Sequence, residues 1–170
     1  GDFITRAEAT DFTGAKYLLA FNEPNFAAQS NITAQQAAAL WPRIEAIAAK
    51  YNLKIVTPAT NFCGGACNNT NPYNWLKDFF AACPACKVDY VASHWYACDG
   101  PALNFNLNSL KQFNKPIWLT EFSCLDGADK SPAAQSKYMT AALDILEKDP
   151  AVFRYAWFTG RWPGEPGISL

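Results

Sequence analysis

Two stretches put a carboxylate where an apolar run stops: "YLLAFNEPN", which carries Glu23, and "PIWLTEF", which carries Glu121. A third, "VDYVASHWY", ends on His94, Trp95 and Tyr96 and holds the chain's only histidine. In a fourth, "VFRYAWF", Trp157 takes a similar position. Two carboxylates flanking a glycosidic bond can divide the work of hydrolysis, one protonating the leaving oxygen while the other attacks or activates water. That chemistry needs one carboxyl protonated and one ionised, and it needs no metal. Singly, each residue has a plainer explanation. A glutamate just past a strand is often a solvated loop charge, and a lone histidine in an aromatic strand is often a hydrogen-bonded core residue. Trp95, Tyr96, Trp157 and Trp162 could equally be packing. Two glutamates at matching strand ends are harder to assign to solvent.

The elements that would position these residues follow from periodicity. Short aliphatic and aromatic runs predict strands at 16–21, 53–58, 88–95, 116–121 and 152–158. Between the first two, Leu40, Trp41, Ile44, Ile47 and Tyr51 recur with the spacing of one helical face. Further helices are expected near 72–82 and 103–112, and at 132–148, where Ser131 serves as N-cap and Pro132 as first helical residue. This alternation defines an α/β fold whose parallel strands are joined by crossover helices. The C-terminal strand ends then form the ligand-binding face. In a flat sheet the first and fourth strands stand about three spacings of roughly 4.8 Å apart, too far for direct cooperation. Inside a closed barrel, inward side chains converge and two glutamates can approach the roughly 5 to 5.5 Å separation of retaining glycosidases. The paired chemistry therefore favours closure.

Composition narrows the function classes. The 170 residues are 50% hydrophobic and 17% charged, with a net charge of −1. Such a chain can bury a substantial core as a single domain over residues 1–170. Without a basic run it has nothing to neutralise phosphates or attract an anionic membrane, so neither nucleic acid nor membrane is an expected partner. No apolar run approaches the roughly 18 residues of a membrane span. "GDFIT" lacks the basic and apolar regions of a signal peptide, so a secreted form is expected to have lost its signal already. The six cysteines include "CGGAC" and "CPAC", spacings that also suit zinc or, for the second, a redox pair. Two sequons, Asn31-Ile32-Thr33 and Asn68-Asn69-Thr70, point with the cysteines to an oxidising compartment. Disulfides are therefore expected. Sequence alone allows 15 pairings of six cysteines, and the expected set is Cys63–Cys67, Cys83–Cys86 and Cys98–Cys124, with no metal or other cofactor, in a protein that is secreted, extracellular or held in a cell wall.

"FNEPN" after an apolar strand and "WLTEF" about a hundred residues later resemble the acid/base and nucleophile strands of clan A glycoside hydrolases, which are (β/α)8 TIM barrels. With "VDYVASHWY" and "FRYAWF" in the same order, the sequence from Tyr17 to Trp157 is similar to glycoside hydrolase family 128, the endo-β-1,3-glucanases. The resemblance implies a retaining, double-displacement cleavage of internal β-1,3-glucosidic bonds. Glu23 would be general acid and then base, and Glu121 the nucleophile. Asn22 would hydrogen-bond the 2-hydroxyl, His94 and Tyr96 would orient a carboxylate or contact sugar, and Trp95 and Trp157 would complete the substrate contacts, Trp157 as a stacking platform. It also implies that the chain carries roughly barrel strands four to eight, with a further segment of the same protein completing the barrel as a partner. Another clan A glycanase, such as a cellulase or mannanase, and a non-catalytic glucan-binding module remain as alternatives.

Overall fold

The computed structural model describes residues 2–164 and 166–169, and the chain forms two compact units, residues 1–91 and 92–170. In the first, helix α1 (Asp2–Ala9) precedes strand β1 (Tyr17–Leu19), helix α2 (Ala34–Tyr51), strand β2 (Lys54–Val56) and helix α3 (Pro72–Ala82). β1 and β2 are parallel, with Tyr17, Leu18 and Leu19 opposite Lys54, Ile55 and Val56. A parallel pair needs a crossover, and α2 supplies it. This helix starts well before its large apolar residues, because Ala34, Ala37 and Ala38 extend the buried face upstream. A reciprocal capping box fixes the start: Gln36 N donates to Thr33 Oγ1 at 3.2 Å and Thr33 N donates to Gln36 Oε1 at 2.8 Å. Asn52, at a left-handed φ of 53°, ends it.

The core of this unit is aromatic. Trp41, Trp75, Leu76 and Phe79 are at most 1% exposed. Trp41 meets Phe79 edge-on at 4.7 Å and Trp75 stacks on it at 6.0 Å, geometries that add to the area the rings bury. Both indole N–H groups are used, Trp41 donating to the Lys87 carbonyl at 3.1 Å and Trp75 to that of Ile32 at 3.2 Å. Burying those rings therefore leaves no orphaned donor. The bond from Trp75 also ties α3 to the loop that follows Glu23.

In the second unit, strand β3 (Val91–Trp95), whose first residue closes the preceding unit, is followed by helix α4 (Gly100–Lys111), strand β4 (Ile117–Phe122), helix α5 (Pro132–Leu146), strand β5 (Val152–Trp157) and a short 3-10 turn at Pro166–Ile168. The strands pair in the order β3-β4-β5, with β4 and β5 parallel. Leu103, Leu107 and Leu110 of α4 are fully buried, as are Ile117 and Leu119 of β4, with Tyr138, Ala142 and Leu146 of α5 at most 3% exposed. Ser131 caps α5 as expected, its hydroxyl accepting from Ala134 N at 3.2 Å. Gln135, one turn later, clamps the loop after β4: its amide donates to the Cys124 carbonyl at 2.6 Å and accepts from Cys124 N at 3.1 Å.

Two of the three expected disulfides are present, Cys83–Cys86 and Cys98–Cys124. The third is corrected, since neither Cys63 nor Cys67 is cross-linked. The Cys67 thiol is directed into its own turn, where it donates to the Gly65 carbonyl at 3.2 Å. A hydrogen bond with Cys63, then burial, push that thiol above its ordinary pKa. Gly127 lies so close over the other bridge that an added Cβ would sit 2.5 Å from Cys98 Sγ, which is why no larger residue fits there.

The two bridges differ in the loops they close, which span sequence separations of 26 and 3 residues. On the chain-entropy account the longer one contributes about 3 to 4 kcal/mol and the shorter one less. Replacing both Cys98 and Cys124 by serine is therefore expected to lower the melting temperature more than the same change at Cys83 and Cys86. Calorimetry of the two double variants checks the order, and equal shifts would contradict it.

Candidate active site

The β4–β5 register explains how Glu121 is presented. Leu119 lies opposite Tyr155 and Phe122 opposite Trp157, so β4 takes three steps where β5 takes two. The extra residue falls at Thr120–Glu121, and such a bulge re-aims side chains. Strict alternation would send Glu121 to the side of Leu119, which is fully buried. Instead its side chain is 28% exposed. Its Oε2 accepts a hydrogen bond from the Tyr96 hydroxyl at 2.5 Å and lies 3.3 Å from His94 Nδ1. The Tyr96 hydroxyl compensates the carboxylate for partial loss of water, and Oε1 is left clear of both neighbours. The histidine side chain is only 1% exposed, so its ring has one settled orientation.

The donors are themselves braced. The Tyr96 carbonyl accepts from Leu125 N at 3.1 Å and Asp126 N at 3.0 Å, and the Cys98–Cys124 bridge joins the same two loops two residues beyond Tyr96. Successive strand side chains alternate in direction, so Trp95 turns away from the side on which His94 and Tyr96 meet Glu121, and it is 6% exposed. Trp157 is partly exposed at the end of β5. Its indole donates to the Ile168 carbonyl at 2.9 Å, and its ring packs against Phe122 and Tyr138. Beyond it, Phe158 contacts Tyr96 edge-on at 6.0 Å and Trp162 at 5.6 Å. Trp162 is 38% exposed, so aromatic surface continues outward from Tyr96.

Glu23 lies in the first unit and is held differently. After β1, pairing resumes at a single bridge between Asn22 and Ala59, and Glu23 N donates to the Ala59 carbonyl at 2.9 Å. The backbone at Glu23 has φ +38°, a left-handed conformation that is uncommon for any residue but glycine, asparagine or aspartate. Strain of this kind persists only where surrounding contacts fix it. Asn25 provides one such anchor: it is fully buried and donates to the carbonyls of Asn61 at 2.7 Å and Asn69 at 3.0 Å. Asn68 provides another, its side-chain amide donating to the Pro24 carbonyl at 3.0 Å and that of Ile32 at 3.2 Å. The Glu23 carboxyl, on a residue 9% exposed, accepts from Asn61 Nδ2 at 3.3 Å through Oε1. Asn22 is exposed, with its amide 3.4 Å from Gln29 Oε1.

Thus Glu121, His94 and Tyr96 form one contacting group, while Glu23 and Asn22 lie with Asn25 and Asn61 in the other unit. Asn25 and Asn61 were not singled out from the sequence as functional, and Asn68 only as part of a sequon. Asn61 had a signal, since it follows the second apolar run as Glu23 follows the first. Among the described residues no three His, Cys, Asp or Glu side chains gather as a metal site, and the Cys83–Cys86 bridge removes two of the thiols a zinc site would use. No described helix is long and apolar enough to cross a membrane.

Comparison with known proteins places these features. A family model described as glycosyl hydrolase catalytic core matches residues 1–166. Among solved structures, an endo-β-1,3-glucanase of glycoside hydrolase family 128, subgroup II, from Sorangium cellulosum is 43% identical, with a TM-score of 0.88 over 99% of this chain and 68% of that one. Its counterpart from Pseudomonas viridiflava is 38% identical, with a TM-score of 0.83 over 99% and 67%. A subgroup I endo-β-1,3-glucanase from Amycolatopsis mediterranei, in complex with laminaritriose, is 30% identical, with a TM-score of 0.76 over 100% and 70%. The chain belongs to the glycosyl hydrolase catalytic core family and, within it, to glycoside hydrolase family 128. Its parallel strands and alternating helices are accordingly part of a (β/α) barrel. Alkali-sensitive linkage protein 1 of Schizosaccharomyces pombe is 36% identical over an alignment of 155 positions that covers 86% of this chain. The chain spans 27% of the length of that curated relative.

Proposed function

We propose that the protein is a retaining glycoside hydrolase that cleaves internal β-1,3-glucosidic bonds, with Glu121 as nucleophile and Glu23 as general acid and then base. The observation that carries the reading is the pair of contacts on Glu121 Oε2, from Tyr96 at 2.5 Å and His94 at 3.3 Å. They hold the carboxylate while Oε1 is clear to attack the anomeric carbon. As the bond from Glu121 to that carbon forms, the glycosidic C–O bond breaks and Glu23 delivers its proton to the departing oxygen. Glu23, now ionised, takes a proton from water as the water's oxygen displaces Glu121. Two displacements at one carbon retain its configuration.

The substrate class is supported by the solved relatives, one of which holds laminaritriose. In this reading Asn22, exposed beside the acid, bonds the 2-hydroxyl, while Trp157 offers a pyranose ring the part of its face left uncovered by Phe122 and Tyr138. A neutral glucan suits a chain of net charge −1 with no basic patch. Two disulfides support a secreted, extracellular or cell-wall location. The test is a substrate panel: reducing-sugar release from laminarin is expected to exceed that from cellulose and mannan by at least about a hundredfold, since remote sugar contacts act on the rate as well as on binding. Release from cellulose or mannan instead would reassign the glycan. Binding of laminarin without release would mark a glucan-binding module.

A further inference from the structure

We infer that Asn61 is a positioning residue for Glu23, holding the carboxyl in the orientation from which it delivers its proton. The inference rests on the reading of Glu23 as the general acid. The left-handed backbone at Glu23, φ +38°, is one the residue's own preferences do not favour, so its direction has to be imposed from outside. One short segment contributes to it twice. Ala59 accepts from the Glu23 main-chain N–H at 2.9 Å. Two residues further along, Asn61 Nδ2 donates to Glu23 Oε1 at 3.3 Å. Asn61 is fixed in turn, because its main-chain oxygen accepts at 2.7 Å from the fully buried Asn25 amide.

The chemistry of this contact suits a group that gives up a proton and later takes one back. An amide N–H on Oε1 favours the transferable proton on Oε2, since the carbonyl oxygen of a protonated carboxyl is a better acceptor than its hydroxyl oxygen. When the proton leaves, negative charge spreads to Oε1 and the same hydrogen bond strengthens, so the contact favours the transition state over the resting acid. Being neutral and without an exchangeable acid proton of its own, the amide does this without competing for the proton. Asn61 touches Glu23 rather than the reacting atoms, and it acts through orientation.

Leaving-group dependence separates this role from a general effect on folding. A β-1,3-glucan needs its departing oxygen protonated, whereas dinitrophenolate leaves without a proton. In the intact protein, Asn61→Ala is expected to lower kcat on laminarin by about 10- to 100-fold, the scale of a misplaced reacting group, with KM within about threefold. The first turnover of a 2,4-dinitrophenyl β-laminaribioside, read as a burst, should stay within about threefold of the parent. The substitution keeps the main-chain oxygen that Asn25 uses. Asn61→Asp, which keeps the shape but replaces donor by acceptor, should show the same split and decides the matter if the alanine variant fails to fold. Equal losses on both substrates, or none on either, overturn the inference. Glu23→Ala, measured alongside, isolates the cause. If it lacks the split, the reading of Glu23 falls and the inference with it, whereas a split in Glu23→Ala but in neither Asn61 variant removes the inference alone.

Discussion

Glu121→Gln is expected to lower laminarin hydrolysis by roughly four orders of magnitude or more, the scale on which loss of an attacking group is felt. The substitution is nearly isosteric. The amide oxygen of the new side chain can still accept from the Tyr96 hydroxyl, which reaches Glu121 Oε2 at 2.5 Å in the parent. What is lost is the charge and the lone pair able to bond the anomeric carbon. Trp157 and the aromatic surface running from Tyr96 through Phe158 to Trp162 are untouched, so affinity for laminari-oligosaccharides should remain within about threefold, because these contacts bind ground and transition states alike. Calorimetric titration and reducing-sugar release measure the two halves separately. A 2-fluoro glycoside should also trap a covalent adduct on Glu121 of the parent, which mass spectrometry would locate. Activity within about tenfold of the parent would take Glu121 out of the mechanism.

The parts of the fold that could be read in advance are those written in local chemistry. Ser131 and Pro132 announced the start of α5. Helix α3 fills the region near 72–82 where a helix was expected, and the structure adds Asn71 as its cap. The beginning of α2 was hidden, because Ala34, Ala37 and Ala38 are buried by position rather than by size. β1 is three residues long although its apolar run is longer, since pairing returns only at the bridge between Asn22 and Ala59. The missing Cys63–Cys67 bridge shows the limit of spacing arguments. Five residues of "CGGAC" can close a ring, but the turn they adopt directs the Cys67 thiol toward a carbonyl instead.

At the site, residue types could be read better than their geometry. Strand-end placement brought out Glu121, His94 and Tyr96, and these three do meet. The device that presents Glu121 has no signature in "IWLTEF", because a one-residue mismatch between β4 and β5 belongs to the pairing of two strands and not to either alone. Trp95 and Tyr96 look equally suited to bind sugar as letters, yet the alternation of the strand separates them. Asn25 and Asn61 went unnoticed for a related reason. An asparagine near a turn is common, and only the path of the chain shows that one is fully buried and the other reaches the Glu23 carboxyl.

Glu23→Ala is expected to slow laminarin hydrolysis by about a thousandfold, within the range that general acid catalysis supplies, and azide is expected to restore turnover of an activated aryl substrate. The logic depends on what the missing carboxyl does in each half of the reaction. Dinitrophenolate needs no proton to leave, so Glu121 can still form the glycosyl enzyme. Hydrolysis of that intermediate then stalls, because no base remains to take a proton from water. Azide is already anionic and needs no base. Removing a side chain that is 9% exposed in the parent vacates space that a small anion can fill. Azide nitrogen bonds the anomeric carbon as the bond to Glu121 breaks, and this second inversion leaves a β-glycosyl azide. The backbone strain at φ +38° is shared by alanine, and the anchoring bonds from Asn25 and Asn68 involve main-chain oxygens other than the lost carboxyl, so the loop should keep its course. Rescue of at least about tenfold, with the product's configuration read by proton NMR at the anomeric centre, is the expected result. An α-azide would instead mean that Glu23 is the nucleophile and that the two glutamates have exchanged roles.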